Sequence, residues 1–255
     1  MIAINQFIRV CANTKGVVRI KVPEHLGIVP DGNRRFAKRL LENPGKGHEW
    51  GMKKVERIMG WCRELGIKNV TLYMLSLENL DKRPKMELEF LFSLARNELD
   101  DVISNPRHWV HETRTRLTFM GQLDRLPEDL QARIEKVRDA TKSYRKYTLN
   151  LAIAYGGRQE IVDAARKLAS DVLKGRISPE KIDEKAFRSS LFTSSMPDPD
   201  LIIRTGGENR ISNFLTFQST YSELVFLDTL WPELERDEFL KSIRDFSERE
   251  RRFGK

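Results

Sequence analysis

The stretch His25-Leu-Gly-Ile-Val-Pro-Asp-Gly-Asn-Arg-Arg35 carries the reading that decides the fold. Leu26 to Val29 is a short apolar run of buried-strand type, and it breaks at Pro30 and Gly32 into a polar turn followed by a helical segment. Runs of the same kind recur at Val70 to Leu75, Leu117 to Met120, Leu149 to Ala154, Leu201 to Ile203 and Leu224 to Phe226. Longer amphipathic segments separate them. The alternation predicts an α/β fold, a mainly parallel sheet flanked by helices. Among the separating segments, Leu88, Leu91, Ala95, Leu99 and Val102 share one helical face, and Phe90, Phe92 and Leu94 widen it. A helix apolar over so much of its girth is either ordinary core or the lining of an apolar space. Pro127 opens a helix reaching about Thr141, Gly156-Gly157 ends a strand, and Ser178-Pro179 marks a turn. Arg35 to Gly51, with Asn43-Pro44-Gly45 at its middle, reads as a mobile loop between two helical pieces.

The chain has 255 residues, 40% of them hydrophobic, enough to bury the core of one large domain. No linker, repeat or low-complexity tract divides it. A charged fraction of 32% and a formal charge of +8 imply an anion-attracting surface or cleft, for which nucleic acid, anionic lipid and diphosphate all qualify. A nucleic-acid partner is not expected, because the chain carries no aromatic-basic or helix-turn-helix signature. Cys11 and Cys62 have no paired spacing, so neither a disulfide framework nor a cysteine zinc site is expected, and a reducing cytoplasm is the simplest location. Met1 to Val22 lacks the continuous apolar core of a signal peptide, and no later run approaches the roughly 18 apolar residues of a membrane span.

Three stretches concentrate polar chemistry just after apolar runs, where ligands collect in an open α/β sheet. In Pro30-Asp31-Gly32-Asn33-Arg34-Arg35 the glycine admits a ligand to the backbone, the helix start offers amide donors, and the arginines add charge-assisted donors. Asp31 repels phosphate unless Mg²⁺ bridges the two, the usual coordination of that ion; the alternative is a helix cap. In Asp200 to Phe214 a strand again runs into glycines, with Arg204, Arg210 and Ser212 around Gly206-Gly207 as a second diphosphate cradle. Farther on, Glu223 is a candidate second metal-side carboxylate, with a cap or salt bridge as the alternative. In Ser76-Leu77-Glu78-Asn79-Leu80-Asp81-Lys82-Arg83-Pro84, Ser76, Glu78 and Asn79 can orient substrate or handle a proton, with Lys82 or Arg83 on phosphate.

Together these stretches resemble the cis-prenyltransferase family, which includes undecaprenyl and dehydrodolichyl diphosphate synthases. The likeness runs in order from about His25 to Gly254 through Asp31-Gly-Asn-Arg-Arg35, Thr71-Leu-Tyr with Ser76-Leu-Glu-Asn79, Thr148 to Arg158, Ile203 to Phe214, Leu230-Trp-Pro232 and Arg249 to Gly254. The resemblance implies a single α/β catalytic domain over 25–255 behind an N-terminal extension of 1–24, with a six-stranded sheet and an elongated apolar tunnel. It implies a Mg²⁺-dependent condensation of isopentenyl diphosphate with an allylic prenyl diphosphate to a Z-polyprenyl diphosphate. Asp31 then holds Mg²⁺ with Glu223 near it, and Gly32, Asn33, Arg34, Arg35, Phe36 and His48 take the allylic diphosphate. Arg204, Arg210, Ile211 and Ser212 take the isopentenyl diphosphate, while Ser76, Leu77, Glu78, Asn79 and Leu80 lie between the two, Asn79 at the proton-removal position. The Arg252-Phe-Gly254 tail resembles a motif that reaches the active site of a dimer mate, which implies a homodimer, and an apolar product leaves peripheral membrane contact open.

Several positions depart from the family pattern. Pro44 stands four residues before His48, where an arginine is common, with Lys46 or Arg39 as conceivable substitutes. Asn209 replaces a frequent histidine, Leu80 a frequent aromatic, Met74 a frequent small residue near the tunnel mouth, and one extra residue precedes Pro84. These departures keep a second reading open, a single or non-head-to-tail condensation with another isoprenoid acceptor on the same fold. A non-catalytic accessory subunit is disfavoured by Asp31.

Overall fold

The computed structural model describes residues 7–11 and 17–249. Phe7–Cys11 (β1) and Val17–Lys21 (β2) pair antiparallel, inside the segment expected to be an extension. This hairpin is fastened to the rest of the chain, since Lys21 N donates to Ser247 Oγ at 2.8 Å and Val22 is buried. The remaining strands are His25–Val29 (β3), Asn69–Ser76 (β4), Thr115–Met120 (β5), Tyr147–Tyr155 (β6), Leu201–Arg204 (β7) and Glu223–Phe226 (β8). They form one sheet in the order β5-β6-β4-β3-β7-β8, and every neighbouring pair is parallel. Each apolar run read from the sequence lies within one of these strands.

The helices are Asn33–Arg39 (α1), Pro44–Glu64 (α2), Leu77–Lys82 (α3), Lys85–Ser104 (α4), Trp109–Glu112 (α5), Glu128–Thr141 (α6), Gly157–Leu173 (α7), Glu184–Arg188 (α8) and Arg236–Glu248 (α9). Side chains alternate across the sheet, so Leu72 joins the core that also holds residues of α2, α4 and α6. Tyr73 joins a smaller cluster on the opposite face with Tyr155, Ile202 and Phe214.

The expectation of a mobile loop over Arg35 to Gly51 is corrected. Only residues 40–43 lie between α1 and α2. Asn43 and Pro44 do read as a turn, but here they start a helix: the Asn43 side chain caps Lys46 N, and Pro44 occupies the first helical position, where its missing amide costs nothing. The two helices pack through glycine. A Cβ on Gly47 would stand 2.0 Å from the Asn33 carbonyl oxygen, and one on Gly51 would stand 2.4 Å from Asn33 Oδ1. Gly47→Ala is therefore expected to cost about 1–3 kcal/mol, the usual range for overpacking. Chemical denaturation measures it, and an unchanged midpoint would show that α1 yields without penalty.

Candidate active site at the switch point of the sheet

Strand β3 sits between β4 and β7, and the chain winds outward from it in both directions. Ligands bind at such a switch point, beyond the carboxyl ends of the strands. Here the segments leaving β3, β4 and β7 are Pro30 to Gly32, Ser76 to Asn79 and Thr205 to Ser212. The three polar stretches of the sequence thus meet at one edge of the sheet.

Asp31 is held on every side. Its amide donates to Val29 O and to Thr205 Oγ1, both at 3.0 Å. Its carbonyl accepts from Thr205 Oγ1 at 2.8 Å and from Trp231 N at 2.9 Å. The carboxylate faces two guanidinium groups, with Arg204 Nη2 at 2.9 Å from Oδ2 and Arg35 Nη2 at 3.2 Å from Oδ1. Arg204 is buried and also donates through Nη1 to Ser212 Oγ at 2.6 Å and to Arg210 O at 2.5 Å, so one side chain ties β3 to the loop after β7. Gly206 (φ 89) lets that loop pass close, since a Cβ there would stand 2.5 Å from Arg35 Nη2. Gly32 is the N-cap of α1 and no side chain caps it, so the first-turn amides remain available to an anion.

A second cluster borders the first. Glu87 on α4 lies 2.9 Å from Arg83 Nη1, 3.4 Å from His48 Nε2 and 3.8 Å from Arg34 Nη1. Burial, together with the positive charge of Arg83 and Arg34, lowers the His48 pKa to about 4 despite the opposing pull of Glu87. Burial lowers His25 as well, against the hydrogen bond its Nδ1 makes to the Pro197 carbonyl and the charges of Asp200 and Asp198. Both imidazoles thus bind protons more weakly folded than unfolded. Their linked stability is present above about pH 6.5 and is lost as pH falls below it, for His48 toward about 4. A Tm that falls over that window, and falls less in His48→Gln, is the expected outcome; a flat profile would remove the linkage.

On the third strand, Ser76 Oγ accepts from Asn79 N at 3.1 Å, and the Glu78 carboxylate accepts from Asn213 Nδ2 at 2.8 Å. Asn213 has φ 64 and also accepts from Arg158 N, so it links α3 to the start of α7. Strand β4 carries a bulge at Met74, compensated on β6 at Ala154, which has φ 49. The bulge breaks the alternation, so Leu72, Met74 and Leu75 all pack on the same core cluster.

One cavity of about 750 Å³ joins these groups to the interior. Its mouth is lined by Asp31, Gly32, Asn33, Arg34, Arg35, His48, Ser76, Glu78, Asn79, Arg83, Arg204, Arg210 and Ser212. From there it runs past Met74 between helices and sheet, lined by Leu91, Phe92, Leu94, Ala95 and Leu99 of α4, Leu130 and Ile134 of α6, and Phe119, Leu151 and Ile153. The broad apolar face of α4 is therefore both core and lining.

Other expected residues lie elsewhere. Phe36 packs edge-on to Trp50, and Leu77 and Leu80 pack against the core. Ile211 does not line the cavity, and neither does Lys82, which is exposed; Arg83 is the cation that faces it. Lys46 and Arg39 pair with Glu49 and Glu233, so neither stands in at the cavity for an arginine at Pro44. Glu223 is a correction. It opens β8 opposite Leu201, at the end of the sheet away from Asp31, and pairs with Arg249 at 2.8 Å. Parallel register puts three residues, about 10 Å of strand, between the two edges, so Glu223 and Asp31 of one chain do not share a metal shell. Arg252 and Gly254 lie outside the described residues. Glu87, Thr205, Asn213 and Trp231 were missed as site residues; the spacing of four between Arg83 and Glu87 was the one local signal for a pair.

The family model "Putative undecaprenyl diphosphate synthase" matches residues 29–254. The chain belongs to the cis-prenyltransferases. Curated relatives of this cis-prenyltransferase include the tritrans,polycis-undecaprenyl-diphosphate synthases (geranylgeranyl-diphosphate specific) of Methanopyrus kandleri and Thermococcus kodakarensis. The first is 48% identical over 92% of this chain and 86% of its own length, the second 47% over 92% and 88%. Among solved structures, lavandulyl diphosphate synthase from Lavandula x intermedia in complex with dimethylallyl diphosphate aligns with TM-score 0.86 at 34% identity, covering 92% of this chain and 99% of that one. A "probable undecaprenyl diphosphate synthase" from Campylobacter jejuni aligns with TM-score 0.75 at 34% identity, covering 91% and 99%. The cis-prenyltransferase reaction is condensation of isopentenyl diphosphate with an allylic diphosphate.

Proposed function

We propose that this enzyme extends geranylgeranyl diphosphate by repeated cis additions of isopentenyl diphosphate to a long polyprenyl diphosphate. The observation that carries this reading is the continuous cavity running from a guanidinium-lined mouth into an apolar interior walled by α4 and α6. A chain that grows by five carbons at each turn needs such continuity. The primer follows from the curated relatives at 47–48% identity, which are named for geranylgeranyl diphosphate. The irregular alternative draws on the lavandulyl diphosphate synthase fold, but at 34% identity.

The allylic diphosphate takes the side of Gly32, Arg34, Arg35, His48 and Arg83, and the isopentenyl diphosphate takes Arg204, Arg210 and Ser212. As the allylic C–O bond breaks, its electron pair passes to the departing diphosphate, where the arginines stabilise the developing charge. The isopentenyl double bond attacks the allylic carbon, and a proton passes to the departing diphosphate as the new cis double bond forms. Holding two diphosphates side by side supplies proximity. Asn79 faces the cavity, but an amide is a poor base, so its role is orientation of the proton acceptor. Asp31 fits a divalent cation, because its carboxylate is one-third exposed in the cavity lining and Mg²⁺ is commonly held by one carboxylate plus substrate phosphates; the cation would compete there with Arg35 and Arg204, which the substrate phosphates would then engage. Mg²⁺ bound there would neutralise diphosphate charge.

We also propose a homodimer. Strand β8 is an open sheet edge that exposes Leu224, and a groove of about 400 Å³ separates it from α9. No helix among the described residues is long and apolar enough to cross a membrane.

Incubation with labelled isopentenyl diphosphate and geranylgeranyl, farnesyl or dimethylallyl diphosphate, read by product mass and connectivity, tests the reading. A ladder in steps of one isoprene unit is expected, with geranylgeranyl diphosphate the best primer. A single or branched addition would overturn it. Because Met74 sits at the bulge beside the mouth, Met74→Ala is expected to shift the product toward longer chains by freeing apolar volume. An unchanged length distribution would assign the limit deeper in the cavity.

A further inference from the structure

Helix α1 ends with Leu41 N donating to Lys38 O at 3.2 Å and Glu42 N donating to Ala37 O at 3.0 Å. Two other helices close with the same pair of bonds. At the end of α2 they run from Gly66 N to Arg63 O and from Ile67 N to Cys62 O; at the end of α7 they run from Gly175 N to Val172 O and from Arg176 N to Asp171 O. In each case the first donor sits in the left-handed region, at φ 68 for Gly66, φ 67 for Gly175 and φ 57 for Leu41. Glycine is the residue suited to that position, because a Cβ is strained there. The chain uses glycine twice and leucine once.

Leu41 gains no packing in return for the strain, since it is 97% exposed, and its neighbour Leu40 is 49% exposed. Exposure alone would mean little; Leu173, at the end of α7, is 89% exposed with glycine in the strained position that follows. What distinguishes the α1–α2 turn is strain, a tandem leucine and the surrounding charge. Between residues 33 and 49 stand Arg34, Arg35, Lys38, Arg39 and Lys46 against Glu42 and Glu49; Arg34, Arg35, Arg39 and Lys46 pair with Glu87, Asp31, Glu233 and Glu49, and Lys38 is exposed beside the leucines. The turn closes the helix whose first residues lie at the mouth of the cavity, without itself lining it. Arg34 and Arg35 on the same helix line that mouth, and a Cβ on Gly45 would meet Phe90 of α4 at 2.8 Å. The first turn of α4 presents Met86, 88% exposed, next to Lys85.

Apolar tips set among cations match the boundary between acyl chains and anionic headgroups. We propose that the α1–α2 turn docks this enzyme on an anionic lipid surface, with Leu40 and Leu41 entering the acyl boundary and Lys38 meeting the headgroups. The proposal rests on the elongation reading, because a long diphosphate-headed isoprenoid is the product that needs a lipid acceptor. Docking through the helix that begins at the mouth brings the mouth toward the lipid and shortens the passage of that product through water.

The test is co-sedimentation of the full chain with vesicles of phosphatidylcholine mixed with phosphatidylglycerol, and with pure phosphatidylcholine. Wild type is expected in the pellet with anionic vesicles and largely in solution with neutral ones. Leu41→Gly combined with Leu40→Ser is expected to weaken anionic-vesicle binding on the order of 10²-fold, the scale set by burying two such side chains. Leu41→Gly alone keeps or raises Tm, because glycine relieves the strain, so lost binding cannot be ascribed to unfolding. First-condensation turnover with soluble primers stays at the wild-type level in both variants. Undiminished vesicle binding by the double variant would overturn the proposal, and so would a change in oligomeric mass, which would make the turn a contact between copies. Product mass from the same samples reports elongation separately, so failure of that reading is distinguishable from failure of docking.

Discussion

Asp31→Ala is expected to lower turnover by at least about 10²–10³-fold, the range seen when one preorganised charge-stabilising group is removed from an active site. The side chain is one-third exposed, so its pairing with Arg35 and Arg204 is partly screened and contributes little to folding. Arg204 would retain Ser212 Oγ and the Arg210 carbonyl as acceptors. The backbone of position 31 would keep its bonds to Val29, Thr205 and Trp231, none of which uses the carboxylate. A large kinetic loss with a small change in Tm is therefore the expected pattern. Labelled isopentenyl diphosphate incorporation measures the first and thermal unfolding the second. Turnover within a few-fold of wild type would remove Asp31 from the chemistry.

The second large effect is expected at Arg204, which joins Asp31, Ser212 and the Arg210 carbonyl through one buried guanidinium. Arg204→Ala removes a diphosphate donor and also frees the loop after β7, where Ser212 (φ 50) and Asn213 (φ 64) hold strained conformations. The expected result is a KM for isopentenyl diphosphate raised by an order of magnitude or more, with kcat falling as well, since the same charge faces the reacting diphosphates. Arg204→Lys should recover little, because one ammonium cannot reproduce the fork that reaches three partners. Recovery of wild-type kinetics by lysine would reduce the role to point charge alone.

Much of this site was legible because its chemistry is local. Asp31, Arg204 and Asn79 each follow an apolar run closely, and a short apolar run ending in glycine or a polar turn reads as strand and loop without knowledge of anything distant. Glu223 misled for the same reason: it also stands beside an apolar run, but before β8 and not after it. Local reading places a residue next to a strand without saying what a neighbouring strand brings to the same edge. Asn43-Pro44 misled differently, because the residues that make a tight turn also cap a helix, and only the following helix packing through Gly47 and Gly51 decides between them. The β1–β2 hairpin gave no separable signal, since it pairs outside the six-stranded sheet and the described contacts that hold it are to α9.

Hydrophobic periodicity and turn chemistry, written in the sequence alone, thus determined the α/β class, the positions of the six sheet strands and the residues most fit to meet a diphosphate. The order β5-β6-β4-β3-β7-β8, the placement of β3 between β4 and β7, and the bulge that turns both Met74 and Leu75 to one face were decided only by tertiary structure. The reason is physical. Strand character arises from a few adjacent side chains, whereas order and register are set by which distant segments bury one another's apolar faces.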